Sequence, residues 1–341
     1  MGQQFTSDNT AGMCPQALAA FVEANLTGHE DAYGEDTWTA KVCDRIRDVF
    51  ECDAEVFFVF NGTAANSLIL AAMCQSYHSV ICHQMAHVDN DECGAPGFFS
   101  GGSTLLVSND PLGKLTPKAI EDLVTQRHDI HYPKPKVISL TQATECGTVY
   151  SVNELQAIGK TARRLGLHVH MDGARFANAV VSLNATPADL TWRAGIDAMV
   201  FGGTKNGLPM GEAVVFFNKD LATDFAYRLK QAGQLASKMR FISAPWLGLL
   251  DNDVWLENAR HANAMAKRLH VRVKDLKGVK VMFQPQANGV FLGLDHAVQD
   301  GLRARGWVFL VSERGCRFMC SWDVLEETVD KLCRDIEVLC A

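Results

Sequence analysis

No apolar run in the sequence approaches the roughly 18 residues needed to span a bilayer, so no membrane-spanning helix is expected. There is no basic block, and the formal net charge is −7, so nucleic acid is not an expected partner. The start, MGQQFTSDNTAGMCP, lacks a charged stretch followed by an apolar one, which excludes a secretory signal of the usual kind. Its Met-Gly-x-x-x-Thr order formally fits a myristoylation pattern, but nothing basic follows, and no membrane contact is expected. None of the eleven cysteines forms a Cys-x-x-Cys pair, and no histidine stands at zinc-finger spacing from Cys316 and Cys320, so no metal site is expected. An odd number of scattered cysteines reads as reduced thiols in a cytoplasmic protein.

What remains is a chain of 341 residues, 48% hydrophobic and 21% charged, large enough for one big domain and a smaller one. Helical and strand-like segments alternate from about residue 40 to 215, which predicts an α/β fold with a largely parallel sheet. Val56-Phe57-Phe58-Val59-Phe60 is a continuous apolar run, as a strand covered on both faces requires. A helix follows over 64–74, a strand over 137–140, and an amphipathic helix over 152–165 that Gly166 ends. Ala213 to Phe217 reads as another strand, and 219–275 as mainly helical, with breaks at Pro245 and 251–255. Beyond 278 come short strands over 279–283, 289–294, 308–311 and 317–321, and a last helix over 324–339. This predicts an N-terminal arm and large domain over 1–245 and a small α+β domain over 246–341.

Two motifs carry chemistry. His170-Met171-Asp172-Gly173-Ala174-Arg175 and Phe201-Gly202-Gly203-Thr204-Lys205-Asn206-Gly207 each stand where an apolar, strand-like run ends. An acid at one strand end and a lysine just past the next is what a pyridoxal 5'-phosphate (PLP) site needs. The lysine bonds to the aldehyde and the acid pairs with the pyridinium nitrogen. Taken singly, each is more simply a buried acid or a surface lysine in a glycine turn. Asn61-Gly62-Thr63 follows the first strong strand and opens a helix, which suits a phosphate, although Asn-Gly is also a common turn. His87 can stack on a ring and move protons near neutral pH, with His83 as its competitor.

With Ser7-Asp8-Asn9, Gly12, Tyr33-Gly34-Glu35-Asp36, Glu92 and Gly315-Cys316-Arg317-Phe318-Met319 added, these motifs stand in the order found in the L-threonine aldolase family. The chain resembles that family over essentially its whole length. The resemblance implies the PLP-dependent fold type I, a PLP cofactor, and reversible cleavage of L-threonine, L-allo-threonine and related β-hydroxy-α-amino acids to glycine and an aldehyde. It implies that Lys205 holds the cofactor, Asp172 its ring nitrogen, His87 its ring face, and Gly62 and Thr63, with Thr204, its phosphate. Ser7, Arg175 and Arg317 would bind the substrate carboxylate, which a planar guanidinium can grip with two hydrogen bonds. Tyr33 would lie near phosphate or substrate, and His131 near the substrate β-hydroxyl. Arg240 is a candidate phosphate or interface contact. A homodimer or homotetramer with shared active sites is implied.

The chain departs from the family pattern at Leu140-Thr141-Gln142-Ala143-Thr144-Glu145, where many members read Leu-Glu-Asn-Thr-His, so the family's contacts from this loop are not carried over to it. The competing readings are a phenylserine-preferring aldolase, a β-eliminating lyase, an aminotransferase and a catalytically silent binding protein on the same fold. Lysine and acid alone do not separate them.

Overall fold

The computed structural model describes residues 4–341. The Met1-Gly2 start of the myristoylation-like pattern lies outside the described residues.

Seven strands form the main sheet: β1 (Glu55–Val59), β2 (His78–His83), β3 (Thr104–Ser108), β4 (Lys134–Thr141), β5 (His168–Gly173), β6 (Ala198–Phe201) and β7 (Glu212–Phe216). Their order is β1-β7-β6-β5-β4-β2-β3. The run from β3 through β2, β4 and β5 to β6 is parallel, while β7 is antiparallel to both β6 and β1. The fold is therefore α/β with a mostly parallel sheet, as the alternation of elements predicts.

Side chains alternate across a strand. Met199, Phe201, Ala213 and Val215 accordingly enter one core, and Ala198, Val200, Val214 and Phe216 enter the other. Burial on both faces is why these strands are apolar throughout rather than alternating. β1 is apolar for the same reason, with Val56 and Phe58 in one core and Val59 in the other, although it lies at the sheet edge. An apolar run reports covered faces, not strand direction.

The helix Val152–Leu165 begins with a reciprocal cap: Ser151 accepts from the Glu154 N–H, and Glu154 accepts from the Ser151 N–H. It ends at Gly166 in the left-handed region, φ 68°. The helix Gly62–Met73 is apolar almost all round and lies buried over the sheet, with Asn61 capping it by accepting the Ala64 N–H.

The second sheet has order β10-β11-β9-β8, from β8 (Lys280–Val281), β9 (Gly289–Gly293), β10 (Leu310–Ser312) and β11 (Gly315–Met319). It is antiparallel throughout. β10 and β11 are displaced by about two residues from the segments expected, because Gly315, at φ 93°, closes their turn and pairs with Ser312. The helices Val254–Val273, His296–Ala304 and Glu326–Cys340 cover this sheet. The N-terminal segment joins the same core: Phe5 donates to Val308 O, accepts from Met319 N–H and packs on Trp307 and Phe318. The chain then crosses directly to the ends of β5 and β6.

Candidate active site

The ends of β5 and β6 approach closely, and their glycines make this possible. A Cβ on Gly202 would lie 2.6 Å from Ala174 backbone atoms. The motifs around Asp172 and Lys205 thus need glycine where they touch.

Beside this junction lies a cavity of about 310 Å³ lined by Asn61, Gly62, Thr63, Asn66, His87, Glu145, Asp172, Thr204, Lys205 and Glu212, among others. Asp172 is buried at the end of β5. Its Oδ2 accepts from Asn66 Nδ2 at 3.0 Å and its Oδ1 from the Ala174 N–H at 3.0 Å. Burial works to raise its carboxyl. The charges of Lys205 and His87, with those N–H donors, prevail and hold it below the usual carboxylate range.

His87 opens a short helical turn, and its Nδ1 meets Glu92 Oε1 at 2.7 Å. The hydrogen bond to Glu92 raises the imidazole above its ordinary value against the opposing effect of burial. Burial in turn raises Glu92. Asn66 Nδ2 also donates to Glu92 Oε1, at 2.7 Å, so one amide ties the two acids together. Among the described residues, His87, Glu92 and Asp172 are the one group whose ligand-type atoms come within 4.8 Å of one another. The Asn66 amide joins the two acids, and the hydrogen bond between His87 and Glu92 brings in the third.

Below Asp172 on the same strand face, His170 is fully buried, with Nδ1 3.0 Å from Ser139 Oγ. Burial lowers its pKa to about 4, so it is neutral beside the acid.

A narrow recess adjoins the cavity and shares Glu145 with it. Arg175, Arg317, Asn288 and Ala143 help line it. Arg175 is 7% exposed and gives one edge to Asp8, Nε to Oδ2 at 2.7 Å and Nη2 to Oδ1 at 2.8 Å. Its Nη1 stands 3.9 Å from Glu145. Burial works to raise Asp8, but Arg175 and Lys205 hold it down to about 2. Arg317 donates through Nη2 to Thr6 O at 2.8 Å, while its buried Nε has no partner.

The structure therefore brings Gly62, Thr63, His87, Asp172, Thr204 and Lys205 to one cavity, and Arg175 and Arg317 to the recess beside it. Ser7 lies next to Asp8, with its Oγ accepting the Asn9 N–H, and Asn9 lines the cavity. Three expected residues lie elsewhere. His131 is exposed on a loop, its N–H donating to Asp129. Tyr33 is 48% exposed, under the ammonium of Lys230. Arg240 has its guanidinium over Phe241, 5.0 Å from the ring centre. Asn66, Glu145 and Glu212 carried no expectation of a role. Asn66 sits one helical turn past Asn61-Gly62-Thr63, on the face toward the sheet. Glu145 lies in the loop that departs from the family pattern, and Glu212 is a charge at the head of an otherwise apolar strand.

The residues fit PLP. The first turn of a helix leaves N–H groups without partners inside the helix, here those of Gly62 and Thr63. Thr204 Oγ1 is buried with no partner, and the lysine and the acid share the cavity.

The family model for beta-eliminating lyases matches residues 4–297. The chain is 60% identical over 339 residues to a low-specificity L-threonine aldolase of Pseudomonas aeruginosa, covering 99% of this chain and 98% of the relative. It is 58% identical over 339 residues to one of a Pseudomonas species, at the same coverage. Among solved structures it matches Leishmania major threonine aldolase with a TM-score of 0.92 and 27% identity, covering 99% of both chains. By its family match and its identity with these relatives, the chain belongs to the beta-eliminating lyase family, among the low-specificity L-threonine aldolases.

Proposed function

We propose that the protein is a PLP-dependent L-threonine aldolase, a carbon–carbon lyase that reversibly cleaves L-threonine, L-allo-threonine and related β-hydroxy-α-amino acids to glycine and an aldehyde. The observation that carries this reading is the junction at Glu145. There a cavity holding Lys205, Asp172 and His87 opens beside a recess holding two arginines.

Lys205 would hold the cofactor through Nζ, Asp172 would take its ring nitrogen, and His87 would face the ring. The N–H groups of Gly62 and Thr63, with the Thr204 hydroxyl, would hold its phosphate. When bound, PLP supplies an electron-accepting ring that stabilises the charge left on the substrate α-carbon as a bond to it breaks.

The chain's own residues select the bond. Arg317, Arg175 and Ser7 fix the substrate carboxylate, and a fixed carboxylate orients the Cα–Cβ bond. Asp8 occupies one edge of Arg175, which leaves Nη1, 3.9 Å from Glu145, as the donor that would turn to substrate. His87 takes the β-hydroxyl proton. Glu92 on Nδ1 orients the ring, so that Nε2 is the nitrogen left for that proton.

We also read the protein as a homodimer or homotetramer with shared sites. Tyr33 and His131 are exposed outside their own chain's cavity, where residues serving a partner's site would stand. A cytoplasmic location is supported by its eleven free cysteines.

The test is product analysis with L-threonine and L-allo-threonine, with and without added PLP. Glycine and acetaldehyde from both, dependent on PLP, is the expected result. 2-Oxobutanoate and ammonia would assign a β-eliminating lyase instead.

A further inference from the structure

The charge of Lys205 reaches three carboxylates: Asp8 from the N-terminal turn, Asp172 from β5 and Glu212 from β7. His87, with Glu92 behind it, faces the same lysine. The buried helix Gly62–Met73 contributes the neutral amide of Asn66. The three acids are not equivalent. Asp8 is neutralised by one edge of Arg175, through Nε and Nη2. Asp172 is the acid that the cofactor ring nitrogen would engage. Glu212 is 7% exposed, lines the cavity, and its Oε2 accepts from the backbone N–H of Gly203 at 2.6 Å and of Thr204 at 3.4 Å. Both donors are neutral. Lys205 is the cation acting on Glu212.

Those two N–H groups belong to the two residues that precede Lys205. Glu212 is itself anchored at the phosphate end of the cavity. It stands opposite Val59 in the register of β7 and β1, and the Gly211 N–H bonds to Phe60 O at 3.1 Å. The loop has no slack on its other side, since a Cβ on Gly203 would lie 2.4 Å from Leu208 and 2.6 Å from Trp246. One buried side chain thus links the segment before the phosphate-binding turn to the segment that delivers the lysine.

We propose that Glu212 is a positioning residue whose carboxylate fixes the backbone before Lys205 and whose negative charge favours the protonated state of the lysine nitrogen when PLP is bound. Burial raises Glu212, while the donors of Gly203 and Thr204 and the charge of Lys205 work against that rise and favour its ionised form. The inference rests on the assignment of the cavity to PLP.

Two variants separate the roles. Glu212→Gln keeps an oxygen for the N–H groups and removes the charge. Glu212→Ala removes both. Each full-length protein is stripped of PLP, titrated with PLP by absorbance, and then scanned for absorbance against pH. The Gln variant is expected to bind PLP within about threefold of the parent, with the pH transition of the bound chromophore lowered by about one unit. The Ala variant is expected to bind PLP about tenfold more weakly, because two buried N–H groups lose their acceptor. A carboxylate that only braced the fold would lower the Tm of both variants and leave the transition of the Gln variant in place. An unmoved transition overturns the charge role, and this test stands even if the Ala variant does not fold. Parent-like PLP binding by a folded Ala variant overturns the positioning role. A parent protein that stays colourless with PLP would fail the cofactor assignment itself. A yellow parent with parent-like variants would fail this inference alone.

Discussion

Charges are arranged in opposite ways at the two ends of the molecule. At the ends of β5, β6 and β7, Asp172, Glu212 and the Asp8–Arg175 pair are all buried, each held by specific hydrogen bonds. On the outer helices of the C-terminal sheet the same residue types lie at the surface. There Arg268 pairs with Asp330 at 2.7 Å, and Arg272 bridges Asp330 and Glu337. Buried charges raise their desolvation cost and lose their alternatives, so each must keep its partner. Surface pairs exchange freely with water and contribute little. The difference marks where this chain uses charge for chemistry and where it uses charge for solubility.

The comparison can be broken most severely at Lys205. Lys205→Ala should abolish turnover and the yellow colour of bound PLP, with the fold kept by circular dichroism. Turnover that survives in this variant would remove the lysine from the mechanism.

Next in size is Asp8. Asp8→Ala leaves the buried Arg175 guanidinium uncompensated, which costs about 3–5 kcal/mol by urea unfolding and raises KM for the amino acid. The pair also gives a pH signature. The Asp8 carboxyl is depressed from 3.8 to about 2, so its stabilisation is complete above pH 4 and is lost as pH falls through 2. An Asp8→Ala protein should therefore show a smaller loss of stability on acidification than the parent.

At the cavity, Glu92→Gln should move the acid limb of kcat/KM. Glu92 raises His87, and the imidazole must be neutral to accept a proton. The parent's rate should fall as pH drops through a value above 6.5, and the variant's limb should lie lower. An unmoved limb would assign the proton to another base. The smallest effect belongs to the other end. Asp330→Asn should leave kcat and KM unchanged and alter Tm slightly, with the difference erased by high salt.

The readable parts of the sequence share one property: their signal is local. The apolar runs of β1, β6 and β7 mark strands covered on both faces. The Ser151–Glu154 cap and Gly166 fix a helix at both ends without reference to anything else. β2 and β3 gave little signal, because His78-Ser79 opens one with polar residues and the other is partly exposed at the sheet edge. The motifs around Asn61, Asp172 and Lys205 each named a residue at a strand end. Parallel strands deliver such ends to one rim, so these residues meet whatever lies between them in the chain.

By itself, then, the sequence determined the fold class and the strand-end motifs whose residue types suit a PLP site, because periodicity and strand-end motifs are properties of neighbouring residues. Only the tertiary structure decided that Asn66 joins Glu92 to Asp172, that Asp8 holds one edge of Arg175, that Glu145 stands between cavity and recess, and that Glu212 grips the lysine loop. It also placed Tyr33 and His131 away from their own cavity. These are contacts between groups far apart in the chain, fixed by burial and hydrogen-bond geometry, and no local pattern encodes which buried acid will find which donor.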